Sequence, residues 1–284
     1  MRFARCFVLT LLASLTVHGA TLDAAKALYH ERKDAEAKSA FTALAQSEPR
    51  NAEVHFYLGR LANRAREVDA AVKHFEKAVE LAPTNSNYHL DLGGAYGQKA
   101  MSANLFSKAS LAGKSRTAME KAVELDPRNL EARQGLMQFY QQAPSIMGGG
   151  LDKAHAQADE IMKLDVQRGR VAKSLLFVRE KQFDAAFALW EEALQQTPDH
   201  YGALYQLGRI AAESGQQLDR GLAALERCLK MSPSENDPGH AAAHWRIGNI
   251  HEKRGDKTAA RAAYDAALTV DAKFQPAIDA LKRL

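Results

Sequence analysis

Two cysteines, Cys6 and Cys228, are too few to hold a scaffold together by disulfides. With only eight prolines in 284 residues, long stretches are free to be helical. No β-rich segment interrupts them. Positive charge scarcely exceeds negative, at a formal net of +4. No cluster of Lys and Arg marks a nucleic-acid surface. The signatures of common enzyme sites are missing: there is no GxSxG, HExxH, CxxC or dinucleotide fingerprint. The longest apolar run, Phe7 to Val17, is eleven residues, well short of the roughly 20 that span a bilayer.

That run has an expected role of its own. Arg2 and Arg5 precede it, and the small residues Gly19 and Ala20 follow, which is the order of a secretory signal peptide over residues 1–20. No cysteine follows the run, which argues against a lipoprotein anchor. Cleavage after Gly19 or Ala20 would remove Cys6 and two arginines, lowering the net charge from +4 to about +2. The expected location is then periplasmic or secreted, with no membrane span in the mature form. Cys228 would be the remaining thiol, reading as a small buried hydrophobe.

The rest of the chain is built on a helical unit best seen at residues 52–85. His55, Leu58, Gly59 and Ala62 fall on one stripe of a first helix. Ala71, Phe75 and Ala78 form the stripe of a second helix, which Pro83 stops. Asn51 and Asp69 are the expected N-caps of the two helices. Small residues at Gly59 and Ala71 permit close helix pairing. Ala37, Phe41 and Pro49 repeat the second-helix pattern 34 residues earlier. Leu92-Gly93, Tyr96, Met119, Ala122 and Pro127 repeat the unit later, and so do Leu207-Gly208, Gly221, Leu225, Cys228 and Pro233.

This order and spacing resemble a tetratricopeptide repeat, over nearly all of the chain after residue 20. The resemblance implies an all-α, right-handed superhelical solenoid of about seven helix-turn-helix repeats with a C-terminal capping helix. Units are expected near 21–51, 52–85, 86–129, 130–168, 169–200, 201–235 and 241–272, forming an array over 21–272. Residues 273–284 form the cap, with Phe274, Ile278 and Leu281 available to close the last apolar face. An aspartate (Asp34, Asp69, Asp152, Asp184, Asp219 or Asp256) is expected just before nearly every second helix. About ten extra residues near 98–113 either form a loop on a binding face or lengthen their two helices. Pro144 and Gly148 to Gly150 mark a turn, with anion binding at the following helix as the alternative.

Two kinds of site follow. In the family, a stripe on each first helix lines the concave surface. The resemblance places Phe56, Arg60 and Asn63, Gln134, Gln138 and Gln141, Tyr205 and Arg209, and Trp245 and Asn249 there. Exposed aromatics and arginines often dominate interfaces, so Phe56, Tyr205 and Trp245 are expected as anchors for another protein or peptide segment. The implied function is a non-enzymatic interaction scaffold of the cell envelope, without cofactor. The partner's identity and the oligomeric state are left open. The alternative is a metal- or small-ligand-binding protein, an enzyme included, using either the inserted loops or His240, His244 and His251, whose spacings of four and seven share a helix face and whose imidazoles suit zinc or copper. His244 occupies the repeat position of His55 and His89, which favours a packing role instead.

Overall fold

The computed structural model describes residues 21–235 and 237–284. The expected signal peptide lies outside the described residues. Fifteen α-helices and one 3-10 turn make up the secondary structure of the described residues. The described residues divide into two compact units, one ending at Leu125 and the other beginning at Asp126. Each is an all-α stack of helix pairs.

The first unit contains α1 (Leu22–His30), α2 (Asp34–Ser47), α3 (Ala52–Arg64), α4 (Val68–Leu81), α5 (Ser86–Ser102) and α6 (Leu105–Leu125). Each helix packs on its chain neighbours, and α3 also touches α1 and α5. Side chains cap the first helices: Thr21 accepts from Ala24 N, Asn51 from Glu53 and Val54 N, and Asn85 from Asn87 and Tyr88 N. The core is one run of buried residues from Ala25 through Phe41, Tyr57, Phe75 and Tyr88 to Ala118.

The second unit contains α7 (Leu130–Gln142), α8 (Leu151–Leu164), α9 (Val166–Arg179), α10 (Phe183–Gln196), α11 (Tyr201–Ser214), α12 (Leu218–Cys228), α13 (His240–Lys253), α14 (Lys257–Val270) and α15 (Gln275–Arg283). Its main core gathers Phe187, Trp190, Leu204, Ile210, Leu225 and Ile250. Phe274 and Leu281, flanking and within α15, pack on a separate cluster containing Tyr264 and Ala267. Cys228 is fully buried.

Close approach within the pairs depends on glycine. A Cβ at Gly59 would stand 2.6 Å from the Phe75 ring, one at Gly208 2.2 Å from Leu225, and one at Gly248 2.2 Å from Tyr264. These are equivalent positions in the second, sixth and seventh repeats, where a large second-helix side chain lies against a bare first-helix backbone.

Several local expectations change. Asp69 is not a cap: α4 begins at Val68, and Asp69 pairs with Lys99 from inside the first turn. Asp34, Asp152, Asp184 and Asp219 also lie within the first turns, and Asp256 alone of the six caps its helix. A carboxylate inside the first turn still faces the positive end of the helix dipole, which gives the recurrence a physical reason. The fifth pair begins at Val166, because Asp165 ends α8 and caps α9 with no loop between. The extra residues of the third pair lengthen α5 and α6, which meet at Ala103–Asn104. At Gly148 to Gly150 each backbone N–H is already bonded, to Ser145, Pro144 and Tyr140 carbonyls, so the turn is closed on itself.

Candidate functional site

The first-helix stripe differs between the two units. In the first, Phe56 is 7% exposed. Its ring lies 4.6 Å from that of Tyr88, and the Arg60 guanidinium sits 4.4 Å above it. Arg60 Nε donates to Asp91 Oδ2 at 2.6 Å, tying α3 to α5. Burial lifts the Asp91 carboxyl above its ordinary range while the Arg60 hydrogen bond acts against it. Asn63 is half-buried beside them. Phe56 and Arg60 do come together, but as mortar between repeats. The ring is not the exposed anchor expected, because a side chain this large reaches across to the next repeat.

Tyr205 and Arg209 also depart from expectation. They are 6% and 8% exposed. Arg209 donates to Gln206 at 2.6 Å, Glu213 at 2.9 Å and Ser174 at 3.3 Å, so its guanidinium stitches α11 to α9. Trp245 is half-buried, edge-on to Phe274 at 6.2 Å, with Arg246 over its ring. The Asn249 amide oxygen accepts from Tyr264 at 2.7 Å. These residues hold their own unit together.

The glutamine stripe is different. Gln134 and Gln138 are exposed and Gln141 half-exposed. All three line a cavity of about 530 Å³ within the second unit. Across it, α9 supplies Gln167, Arg168, Val171 and Leu175, and α11 supplies Gln206. Val171 and Leu175 are 36% and 42% exposed, so both present aliphatic surface to the cavity. Ser234, Asp237 and Pro238, from the connection before α13, stand at one end. Five glutamine amides thus surround an aliphatic floor. Arg168 is paired with Glu131 at 3.1 Å, and Asp237 adds a carboxylate to the lining.

Sequence reasoning passed over Val171 and Leu175. The signal was present: Phe56 and Arg60 stand fifteen and eleven residues before Ala71, and Val171 and Leu175 stand the same distances before Ala186.

The three histidines of the metal alternative do not converge. His240 Nε2 is 2.7 Å from the Met231 carbonyl oxygen, and its ring stacks on Tyr201. His244 is held below its ordinary pKa by burial and by His240. His251 Nδ1 is buried without a partner. Among the described residues no three His, Cys, Asp or Glu side chains are grouped to hold a metal ion.

Comparison with known proteins bears on the fold. A tetratricopeptide repeat family model matches residues 22–86, 171–234 and 211–276. A search of curated proteins found no match. Among solved structures, a tetratricopeptide repeat protein from Parabacteroides merdae is 14% identical with a TM-score of 0.63, covering 92% of this chain and 95% of that one. The C-terminal part of a repeat-containing protein from Cytophaga hutchinsonii is 17% identical with a TM-score of 0.54, covering 90% and 97%. A thermophilic repeat protein from Thermus thermophilus is 19% identical with a TM-score of 0.50, covering 73% and 97%.

Proposed function

The chain belongs to the tetratricopeptide repeat family, and on that premise we propose that it is a non-enzymatic protein–protein interaction scaffold of the cell envelope. Its binding surface is the first-helix groove of the second unit. The observation that carries this reading is the cavity lined by Gln134, Gln138 and Gln141 on one side and by Val171 and Leu175 on the other. A primary amide both donates and accepts, so a row of them suits the main chain of an extended segment. The aliphatic floor suits one or two apolar side chains of that segment. Because the walls are rigid helices, little ordering cost falls on the scaffold when the partner binds.

The envelope location rests on the residues 1–20 pattern of two arginines, an apolar run and small residues. The cavity volume also lies in the range of small-molecule sites, roughly 300–1,000 Å³. A small ligand in the same place is therefore the second reading.

The test is a cross-linked capture of partners from the native envelope, comparing wild type with Leu175→Asp and with Gln134→Ala/Gln138→Ala. Captured proteins lost from both variants, at unchanged helical content, support the scaffold. A partner retained by both places recognition elsewhere. A low-mass compound released from wild type and missing from Leu175→Asp favours the second reading.

A further inference from the structure

The third repeat carries a feature that the groove does not use. α5 has 17 residues and α6 has 21, against 13 and 14 in the preceding pair. The Lys99–Asp69 ion pair, at 2.7 Å, marks where α5 passes the start of α4. Beyond it the hairpin continues to a tip that is apolar and exposed. Met101 is 82% exposed, Leu105 74% and Phe106 91%.

The charges that the hairpin's own sequence sets around this tip are of one sign, although Lys99 is already paired with Asp69 of α4. From Leu92 to Met119 the chain holds Lys99, Lys108, Lys114 and Arg116 and no Asp or Glu. Residues 100–107 carry no charge. Lys108 follows Leu105 by three residues, so it stands about 5 Å behind the tip along the helix. Lys108 and Lys114 are exposed, with Lys114 lying over the Tyr96 ring.

We propose that the α5–α6 tip docks on an anionic phospholipid surface, with Met101, Leu105 and Phe106 entering the interface and the lysines behind them meeting the headgroups. Two features select this occupant. An uncharged apolar point backed by a cationic collar has the polarity profile of the headgroup boundary, apolar at depth and negative at the surface. The tip is convex and bears three large side chains, far from the roughly 1,200–2,000 Å² that a stable protein interface buries. A bilayer needs no matching pocket. No helix among the described residues is long and apolar enough to cross a membrane, so the contact is peripheral.

The experiment is co-sedimentation of the full chain with vesicles of phosphatidylglycerol and phosphatidylethanolamine, and with phosphatidylcholine alone. Variants are Leu105→Ser/Phe106→Ser, Lys108→Glu/Lys114→Glu, and Ile146→Ser, which removes an equally exposed apolar side chain elsewhere. The tip variants should lower partition onto anionic vesicles by at least about tenfold, while Ile146→Ser leaves it unchanged. Residues 1–20 are common to every variant, so a readout local to the tip is needed as well. In Phe106→Trp the added indole emission should shift to the blue on anionic vesicles and be quenched by brominated acyl chains. An added emission that neither shifts nor quenches overturns the proposal. So does loss of a captured protein, rather than of lipid binding, in the serine variant.

Discussion

The imidazole Nε2 of His89 lies 2.8 Å from the carbonyl oxygen of Pro83, six residues upstream. His55 makes the same contact with Pro49 at 3.2 Å, and Arg133 Nε donates to Pro127 at 2.7 Å. The fourth position of a first helix therefore ties down the proline that ended the previous repeat. His89→Leu keeps the bulk and removes the bond, which is partly exposed. It should lower stability by about 1 kcal/mol, read from urea midpoints, and His89→Arg should restore much of the loss.

Glycine substitutions should split by repeat position. Gly248→Ala and Gly208→Ala force a Cβ to within 2.2 Å of Tyr264 and Leu225, and overpacking of this kind costs roughly 1–3 kcal/mol. Gly94 and Gly113 are helical and a Cβ there meets nothing within 4 Å. Alanine at either should stabilise by up to about 1 kcal/mol through helix propensity. Equal effects at all four sites, measured by thermal unfolding, would sink the pairing argument.

The same glycines show why so much of the fold was legible. Gly59 and Phe75 recur sixteen residues apart as Gly248 and Tyr264, and Gly208 with Leu225 makes the same contact, because these repeats solve one packing problem in one way. Exposure was harder to read. The stripe rule placed Phe56 and Tyr205 on the groove side of their helices, and both lie on that stripe. Whether a side chain there reaches solvent depends on the residue opposite it on the next helix. Tyr88 covers Phe56, whereas the cavity beside Leu175 is left open. Spacing along one helix carries no information about that partner. The capping error at Asp69 has a similar origin, since a carboxylate at the cap and one inside the first turn look alike in sequence.

Stability should fall on mild acidification. Burial, then the proximity of His55, holds His74 below its ordinary pKa, and burial with His240 does the same to His244. Both folded-state values are depressed, so the unfolded chain binds more protons as pH drops through about 6.5. The stabilisation is complete above that value and is lost as pH falls toward the lower folded values. Urea midpoints should therefore decline over this window, and His74→Gln should flatten the decline.

Cys228 gives the opposite sign. Its thiol is fully buried, its Sγ–H 3.6 Å from the Tyr201 carbonyl oxygen, and burial pushes its pKa from 9.0 up to about 12. A folded pKa above the unfolded one means that the contribution is intact below about 9 and is lost progressively toward about 12. A thiol reagent at pH near 8 should leave the folded chain unmodified at this residue and label it at the rate of unfolding. Cys228→Ala should weaken the alkaline decline. Labelling much faster than unfolding would show that the thiol is reached by local opening.

Groove and core should separate under mutation, and the two members of one stripe make the sharpest comparison. Tyr205 is 6% exposed inside the main core of the second unit, so Tyr205→Ala should cost roughly 3–5 kcal/mol, as for other large aromatic truncations. Leu175 is 42% exposed at the cavity, and Leu175→Ala should stay within about 1 kcal/mol of wild type, because little of its surface is removed from water on folding. Both residues lie on the face that the repeat pattern assigns to recognition, yet only Leu175 is left facing open space. Thermal unfolding of the two alanine variants measures the difference directly. If Leu175→Ala proves as damaging as Tyr205→Ala, the cavity floor is structural, and the glutamine walls lose their place as a binding surface.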